Sequence, residues 1–129
     1  MTLDEILALQ PGPVMDAKVA KDVMGWTYGH PCPEDMGCIH WADRDGMIKD
    51  HRPPAYSTEA ALAWEVEKEM VRRNLRVAYT QALQLVIRSR KEYATMFDYV
   101  HASPADRCKA ALLVVTLGAE RFEGMARAG

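Results

Sequence analysis

Residues 30–40 read His-Pro-Cys-Pro-Glu-Asp-Met-Gly-Cys-Ile-His, and this pattern is the most informative one about the structure of the middle of the chain. Its spacing is mirror-symmetric, because His30-x-Cys32 is followed after five residues by Cys38-x-His40. Residues two apart in a strand point to the same face of a sheet. A loop over residues 33–37 between two paired strands would therefore let all four side chains project from one face. The spacing predicts a small hairpin.

The same four side chains are of the type that binds zinc. Tetrahedral sulfur and nitrogen ligands hold structural zinc, whereas catalytic zinc keeps one position open. We therefore predict a structural zinc site whose ligands are His30, Cys32, Cys38 and His40. His51 is either a group that supports a ligand or a replacement ligand. In the alternative interpretation the thiols are free and the histidines lie in a polar loop, and Pro31 and Pro33 favour it because proline disrupts paired strands.

Composition limits the class of protein. The 129 residues are 49% hydrophobic and 26% charged, which is typical of a soluble globular chain, and we expect one domain over residues 1–129. The net charge of −2 gives no basic field that would attract nucleic acid or an anionic membrane. Three cysteines, a charged opening and the lack of a long apolar run predict a cytoplasmic protein with reduced thiols.

Helices are predicted at both ends and in the centre of the chain. Thr2 and Glu5 form a capping-box pattern, and a second helix ends at Gly25. The strongest helix covers residues 59–73, with Ser57 or Thr58 as its cap. Its apolar face consists of Leu62, Ala63, Val66 and Met70. Ser103-Pro104 begins a last helix over residues 105–117.

Strands are predicted between these helices. Residues 75–87 alternate in part, and residues 93–100 alternate with a clean period of two that includes Phe97. Together with the hairpin, these segments predict an α+β fold with a small antiparallel sheet sandwiched between helices.

Four sequence pieces carry a family resemblance. They are Leu9 with Pro11-Gly12; Asp16-Ala17-x-Val19-Ala20-x-x-Val23-Met24-Gly25-Trp26; Tyr56-Ser57-Thr58 followed by Ala60-Ala61-x-Ala63-Trp64-Glu65-Val66; and Ser103-Pro104-Ala105-x-x-Cys108-x-Ala110-Ala111-Leu112. The set resembles the phage ABA-sandwich domain family, small proteins of phages and prophages. The resemblance implies a helix–sheet–helix sandwich and a phage accessory protein in a bacterial cytoplasm. It supplies no catalytic residues.

The residues around the central helix suggest a ligand site. A helix that begins near Thr58 offers free N–H groups to an anion, and the alternative is simple capping with Tyr56 packed beside it. Aromatic rings could stack a base, with core packing as the alternative, which we favour for Trp26 and Trp64. Trp41, beside a polar turn, is expected to face the ligand. The predicted ligand-binding set is Trp41, Tyr56, Ser57, Thr58 and Tyr28.

The leading functional hypothesis is a non-enzymatic phage accessory protein that sequesters a small anionic ligand, such as a cyclic-nucleotide-type immune signal of the host, as a homo-oligomer. This sponge function rests on analogy in size and context. The alternative is a zinc-stabilised protein-interaction module that inhibits a host protein. Catalysis ranks last, because the sequence has no Gly-rich phosphate loop and no His-Glu-x-x-His, and Cys108 lies on an apolar helix face. Apart from zinc, no cofactor is expected.

Overall fold

The computed structural model describes the backbone of residues 1–32 and 35–128, and the side chains of residues 1–30 and 39–123. In this part of the chain, seven α-helices accompany one two-stranded antiparallel sheet. The elements in chain order are α1 (Leu3–Leu7), α2 (Pro13–Lys18), β1 (Thr27–Cys32), β2 (Asp35–Ala42), α3 (Ala60–Arg72), α4 (Arg76–Arg88), α5 (Met96–Val100), α6 (Pro104–Leu117) and α7 (Ala119–Ala128). The predicted α+β class with a small antiparallel sheet among helices is confirmed.

The first two helices are set by local signals. The Thr2 hydroxyl accepts a hydrogen bond from the Glu5 N–H at 3.2 Å, so the predicted cap is confirmed. A π-helical turn, Val19–Val23, continues α2. Gly25 then adopts φ +75°, a conformation that glycine enters without a steric cost, and the chain leaves the helix for β1.

The predicted hairpin is present, with a register shift near its tip. His30 lies opposite His40 and Pro31 opposite Ile39, as the mirror-symmetric spacing predicts. Cys32 then pairs with Asp35 instead of Cys38. The predicted loop over residues 33–37 is therefore too long, since β2 already begins at Asp35.

A third extended segment lies beside β2. The turn after β2 is held by the Asp43 carboxylate, which accepts hydrogen bonds from the N–H groups of Asp45 and Met47 at 3.0 Å each. The chain then returns antiparallel to β2. Trp41 donates its N–H to the Asp50 carbonyl at 2.9 Å, and its own carbonyl accepts from Lys49 at 2.7 Å. This segment pairs with the backbone of β2 at Trp41, whose side chain is buried in the hydrophobic core.

The hydrophobic core centres on α6, whose buried residues form a nearly continuous run from Ala110 to Val114. α4 packs against α6 and α7, and α3 contributes the face predicted for it, with Ala63, Val66 and Met70 buried. Cys108 is buried in this core, where desolvation and the nearby Asp16 carboxylate raise the pKa of its thiol to about 12. Among the described helices, none combines the length and apolar character needed to span a bilayer.

Two predicted strands are helices. Residues 75–87 fall in α4, because their buried side chains recur at helical spacing: Ala78, Tyr79, Ala82, Leu83, Val86 and Ile87. Residues 93–100 end in α5, where the Thr95 hydroxyl and the Asp98 carboxylate complete a capping box. Phe97, predicted to be buried in a sheet, is 68% exposed on this short helix.

Two expectations about α3 are also wrong. Its N-cap is Glu59, with no side-chain capping bond, rather than Ser57 or Thr58. Trp64, assigned to the core from the sequence, is 61% exposed because it lies on the face of α3 opposite the buried stripe.

Candidate functional site

A buried polar cluster joins three of the sequence pieces that carry the family resemblance. The Asp16 carboxylate accepts two hydrogen bonds from Ser57, one from the N–H at 2.8 Å and one from the hydroxyl at 2.6 Å. The Ser57 oxygen in turn accepts from the Gly12 N–H at 2.8 Å. Asp16 and Ser57 are 6% and 2% exposed. This cluster fastens α2 to the segment before α3, and it explains structurally why these residue types occur together.

The same cluster changes how an anion could approach residues 56–58. The donors of Ser57 are already used by Asp16, whose carboxylate would repel a second anion at close range. Tyr56 is buried, and desolvation raises the pKa of its phenol to about 12. Thr58 is exposed and precedes the Glu59 cap. The three residues are therefore close together, with only Thr58 open to solvent.

The predicted aromatic pair Tyr28 and Trp41 is also brought together, with ring centroids 5.2 Å apart. Trp41 is only 7% exposed, whereas Tyr28 is 58% exposed. The expectation that Trp41 is an exposed ring is thus wrong, because its side chain belongs to the hydrophobic core.

A cavity of about 340 Å³ lies between the turn after β2 and the first half of α3. Its apolar wall is formed by Met24, Trp26, Pro54, Tyr56 and Leu62. Its charged side chains are two cations, Arg44 and Lys49, and three carboxylates, Asp43, Asp45 and Glu65. The cavity therefore combines a flat aromatic surface with both hydrogen-bond acceptors and cationic donors. Of the predicted ligand-binding residues, it includes Tyr56.

Behind Arg44 lies a buried carboxylate that binds three arginines. Glu69 is 4% exposed and accepts hydrogen bonds from Arg44 at 2.6 Å, from Arg72 at 2.9 Å and from Arg73 at 3.0 Å. The Arg72 hydrogen bond, followed by those of Arg44 and Arg73, lowers the pKa of Glu69 to about 2. Since three guanidinium groups meet one carboxylate, the cluster carries an excess of two positive charges.

Sequence reasoning missed this arginine cluster. The spacing of Glu69, Arg72 and Arg73 at i, i+3 and i+4 was a usable signal for contacts on one helix face. Arg44 lies 25 residues upstream in a turn, and no local pattern indicates that it reaches Glu69.

The predicted zinc ligands can be followed only in part. His30 and His40 lie opposite each other in the hairpin, whereas the side chains of Cys32 and Cys38 lie outside the described residues. The side chains that the structure does describe contain no group of three or more His, Cys, Asp or Glu arranged to hold a metal ion. His51, assigned from the sequence to a supporting or replacement role, lies beside His40, with ring centroids 5.9 Å apart.

The comparison with family models matches the phage ABA sandwich domain over residues 17–112. This match covers most of the chain, from α2 to the middle of α6, so the chain belongs to the phage ABA sandwich domain family. No curated protein and no solved structure matches it. The family assignment made from the four sequence pieces is therefore confirmed.

Proposed function

We propose that this protein is a non-enzymatic phage accessory protein that binds and sequesters a small nucleotide-type ligand in the bacterial cytoplasm. A cyclic nucleotide that signals host immunity is the ligand class we favour. The observation that carries the proposal is the cavity between the turn after β2 and α3. On this basis our proposal moves the ligand site from Trp41 and Thr58 to Trp26, Tyr56, Arg44 and Lys49, which line the cavity.

The mixed lining of this cavity fits the chemistry of a nucleotide. A base is flat and can stack on an aromatic wall, here that of Trp26. Its exocyclic amino groups donate hydrogen bonds, which the carboxylate of Asp45 in the lining can accept. The phosphate needs cationic donors, and Arg44 and Lys49 supply them.

Positive charge is concentrated on the Arg44 side of the cavity, which supports an orientation with the phosphate of the ligand on that side. The carboxylates of Asp43 and Glu65 already have partners in Lys49 at 3.6 Å and Lys68 at 3.0 Å. The cluster at Glu69 keeps its excess of positive charge on partly exposed guanidinium groups of Arg44 and Arg72. An anionic group at the Arg44 side of the cavity would meet this field.

The experiment is a calorimetric titration with a panel of cyclic dinucleotides, cyclic trinucleotides and cyclic ADP-ribose isomers, preceded by mass spectrometry of any nucleotide released on denaturation. Lys49→Gln and Arg44→Gln should each weaken binding by about tenfold or more, the effect of losing one charge-assisted hydrogen bond. Lys49→Gln is the cleaner variant because Lys49 does not contact Glu69. Arg88→Gln, on the last turn of α4, is the matched control and should bind as the wild type does.

Absence of binding to every member of the panel at micromolar concentration would contradict the proposal. Equal affinity of the Lys49→Gln variant and the wild type would contradict the location of the site.

The second candidate property is the predicted homo-oligomer, and exposed apolar side chains on α5 and in the segment just before it favour self-association. Tyr93, Met96, Phe97 and Val100 are all more than half exposed. At about 200 Å² for each aromatic side chain, Tyr93 and Phe97 alone present roughly 300 Å² of surface, the size of patch that often marks an interaction site.

For this face we propose a second copy of the chain as the partner. A groove of about 160 Å³ lies between α4 and α5 and is lined by Thr80, Leu83, Gln84, Met96 and Tyr99. A cavity of about 150 Å³ can hold a benzene ring, so the groove is large enough for a phenyl group. In a twofold contact each copy supplies both parts, so the Phe97 ring of each chain would enter the groove of the other.

Light scattering of the purified protein across a range of concentrations tests this contact. Phe97→Asp should shift the mass to that of the monomer, whereas Val71→Asp, an equally exposed apolar position on α3, should leave it unchanged. A wild-type mass of one chain at the highest concentration would overturn the proposed dimer and leave the ligand-binding proposal untouched.

A further inference from the structure

We propose that His40 and His51 together bind one divalent transition-metal ion through their Nε2 atoms. This inference is independent of the ligand cavity. It differs from the four-ligand zinc set predicted from the sequence because it requires His51, considered there only as a supporting group or a replacement ligand, and does not require Cys32 or Cys38.

Backbone hydrogen bonds hold the two histidines side by side. His40 precedes Trp41 in β2, and His51 follows Asp50 in the segment that lies antiparallel to β2. The Trp41 N–H donates to the Asp50 carbonyl at 2.9 Å, directly between the two positions. The rings are consequently placed by paired backbone rather than by a free loop.

Each ring is oriented by an acceptor at Nδ1. The Nδ1 atom of His40 lies 2.8 Å from the carbonyl oxygen of Lys49, and a carbonyl can only accept, so this nitrogen carries the hydrogen. The Nδ1 atom of His51 lies 2.9 Å from the Asp50 carboxylate, which also only accepts. In the neutral imidazole the lone pair is therefore on Nε2 in both rings. A carbonyl or carboxylate at the far nitrogen is the arrangement that orients metal-binding histidines.

The His40 Nε2 atom is buried and has no hydrogen-bond partner among the described residues. A buried acceptor without a partner is unfavourable, and coordination to a metal ion would satisfy it. The neighbouring ring is at a suitable distance. With metal–nitrogen bonds of about 2.0–2.1 Å, two imidazoles on one ion have centroids roughly 5–6 Å apart, and the observed separation is 5.9 Å.

Two imidazoles indicate which ions would bind. Imidazole nitrogen suits Zn²⁺, Ni²⁺ and Cu²⁺, whereas Mg²⁺ and Ca²⁺ take oxygen ligands. The two rings leave further coordination positions for water or for another side chain. His30, the cross-strand partner of His40, does not complete a three-residue group with the two histidines, and its Nε2 atom lies 2.7 Å from the Thr27 hydroxyl.

The test is calorimetric titration of chelator-treated protein, purified without a histidine tag, with Zn²⁺. We expect about one ion per chain. His51→Ala should weaken binding by at least about tenfold, since even changes to groups behind the ligands cost that much. His101→Ala is the matched control, because His101 is an exposed histidine with a similar Nδ1 contact to a backbone carbonyl, that of Phe97 at 2.9 Å. Its zinc affinity should equal that of the wild type.

Nitrogen NMR of the imidazoles gives a second readout that does not depend on affinity. In the metal-free protein both rings should be Nδ1–H tautomers, and zinc should shift the Nε2 resonances of His40 and His51 together. Unchanged affinity in the His51→Ala variant would overturn the inference, including the case in which only His30→Ala or Cys38→Ser weakens binding. The metal would then belong to the hairpin set alone. A wild type that binds no zinc at micromolar concentration would overturn it as well.

Discussion

Two buried carboxylates hold the first half of this molecule together, and they do so by different means. Glu69 is surrounded by the guanidinium groups of Arg44, Arg72 and Arg73. Asp16 accepts hydrogen bonds from the N–H and the hydroxyl of Ser57, which carry no charge. Both carboxylates are less than a tenth exposed, and both connect segments distant in the sequence.

The two clusters differ in net charge and in the number of donors that remain free. In the Asp16 cluster both donors of Ser57 are hydrogen-bonded to the carboxylate, so neither is free to bind a ligand. The Glu69 cluster has more positive charge than its carboxylate can neutralise, and two of its arginines reach the surface. The Asp16 cluster is suited to a structural role alone. The Glu69 cluster combines a structural role with a positive electrostatic field at the surface. The following measurements test this division.

The largest effect is expected for Glu69→Gln. The amide keeps the shape of the side chain but removes the charge that three arginines share, and the free energy of unfolding should fall by about 3 kcal/mol. Chemical denaturation of both proteins at neutral pH measures it. Glu65→Gln, one turn earlier on the exposed side of α3, is the control and should cost less than about 0.5 kcal/mol. Equal costs for both variants would refute the structural role of the cluster.

Acidification should weaken the same cluster, because it protonates the carboxylate of Glu69. Because folding lowers the pKa of Glu69 from 4.5 to about 2, its contribution is complete above pH 4.5 and is lost as the pH falls toward 2. We expect a loss of about 2 kcal/mol over this range, reduced from the full shift because Arg72 is partly solvated. The difference between the wild type and Glu69→Gln isolates this loss. Parallel pH profiles of the two proteins would contradict the assignment.

A smaller effect is expected in the other cluster. Ser57→Ala removes the hydroxyl that donates to Asp16 and accepts from Gly12, but it keeps the backbone bond to Asp16. Unfolding free energy should decrease by about 1–2 kcal/mol. The neighbouring Thr58→Ala should change it by less than about 0.5 kcal/mol, because Thr58 is exposed and is not the cap of α3. A larger loss for Thr58 than for Ser57 would reverse this view of the segment.

The smallest effect should occur outside both clusters. Phe97→Ala removes a ring that is 68% exposed, so the monomer should lose less than about 1 kcal/mol. Thermal denaturation at low protein concentration, where a dimer does not contribute, is the measurement. A loss above about 3 kcal/mol would restore the buried environment that the alternating sequence predicts for Phe97.

Local signals in the sequence predicted the parts of the fold that they control. The caps at Thr2 and Ser103, the turn after β2 and the apolar stripe of α3 follow from interactions within a few residues, and all are present. The hairpin at His30 and His40 was also predictable, because symmetric spacing constrains register. Residues 93–100 were misassigned because alternation outweighed the Thr95 and Asp98 capping pair, which was already visible in the sequence.

The candidate site was harder to predict because its residues meet across long separations. Trp41 lies in the hydrophobic core, and no pattern near it in the sequence distinguishes a buried ring beside a polar turn from an exposed one. Ser57 was predicted to bind a ligand or to cap α3, whereas its hydroxyl bonds to Asp16, which lies 41 residues away in the sequence. A hydroxyl side chain at a predicted helix start gives the same sequence pattern whether it binds an anionic ligand or a carboxylate of the protein itself.

The burial of Cys108 provides a reporter built into the chain. A thiol with a pKa near 12 is almost entirely protonated at neutral pH, and the surrounding core excludes reagents. Alkylation of this sulfur should therefore proceed only when the core transiently opens. Its rate, followed by mass spectrometry on the peptide that contains Cys108, would measure how often the packing around α6 opens in solution. The same trace, repeated with zinc or a bound nucleotide, would register any ligand that slows those openings.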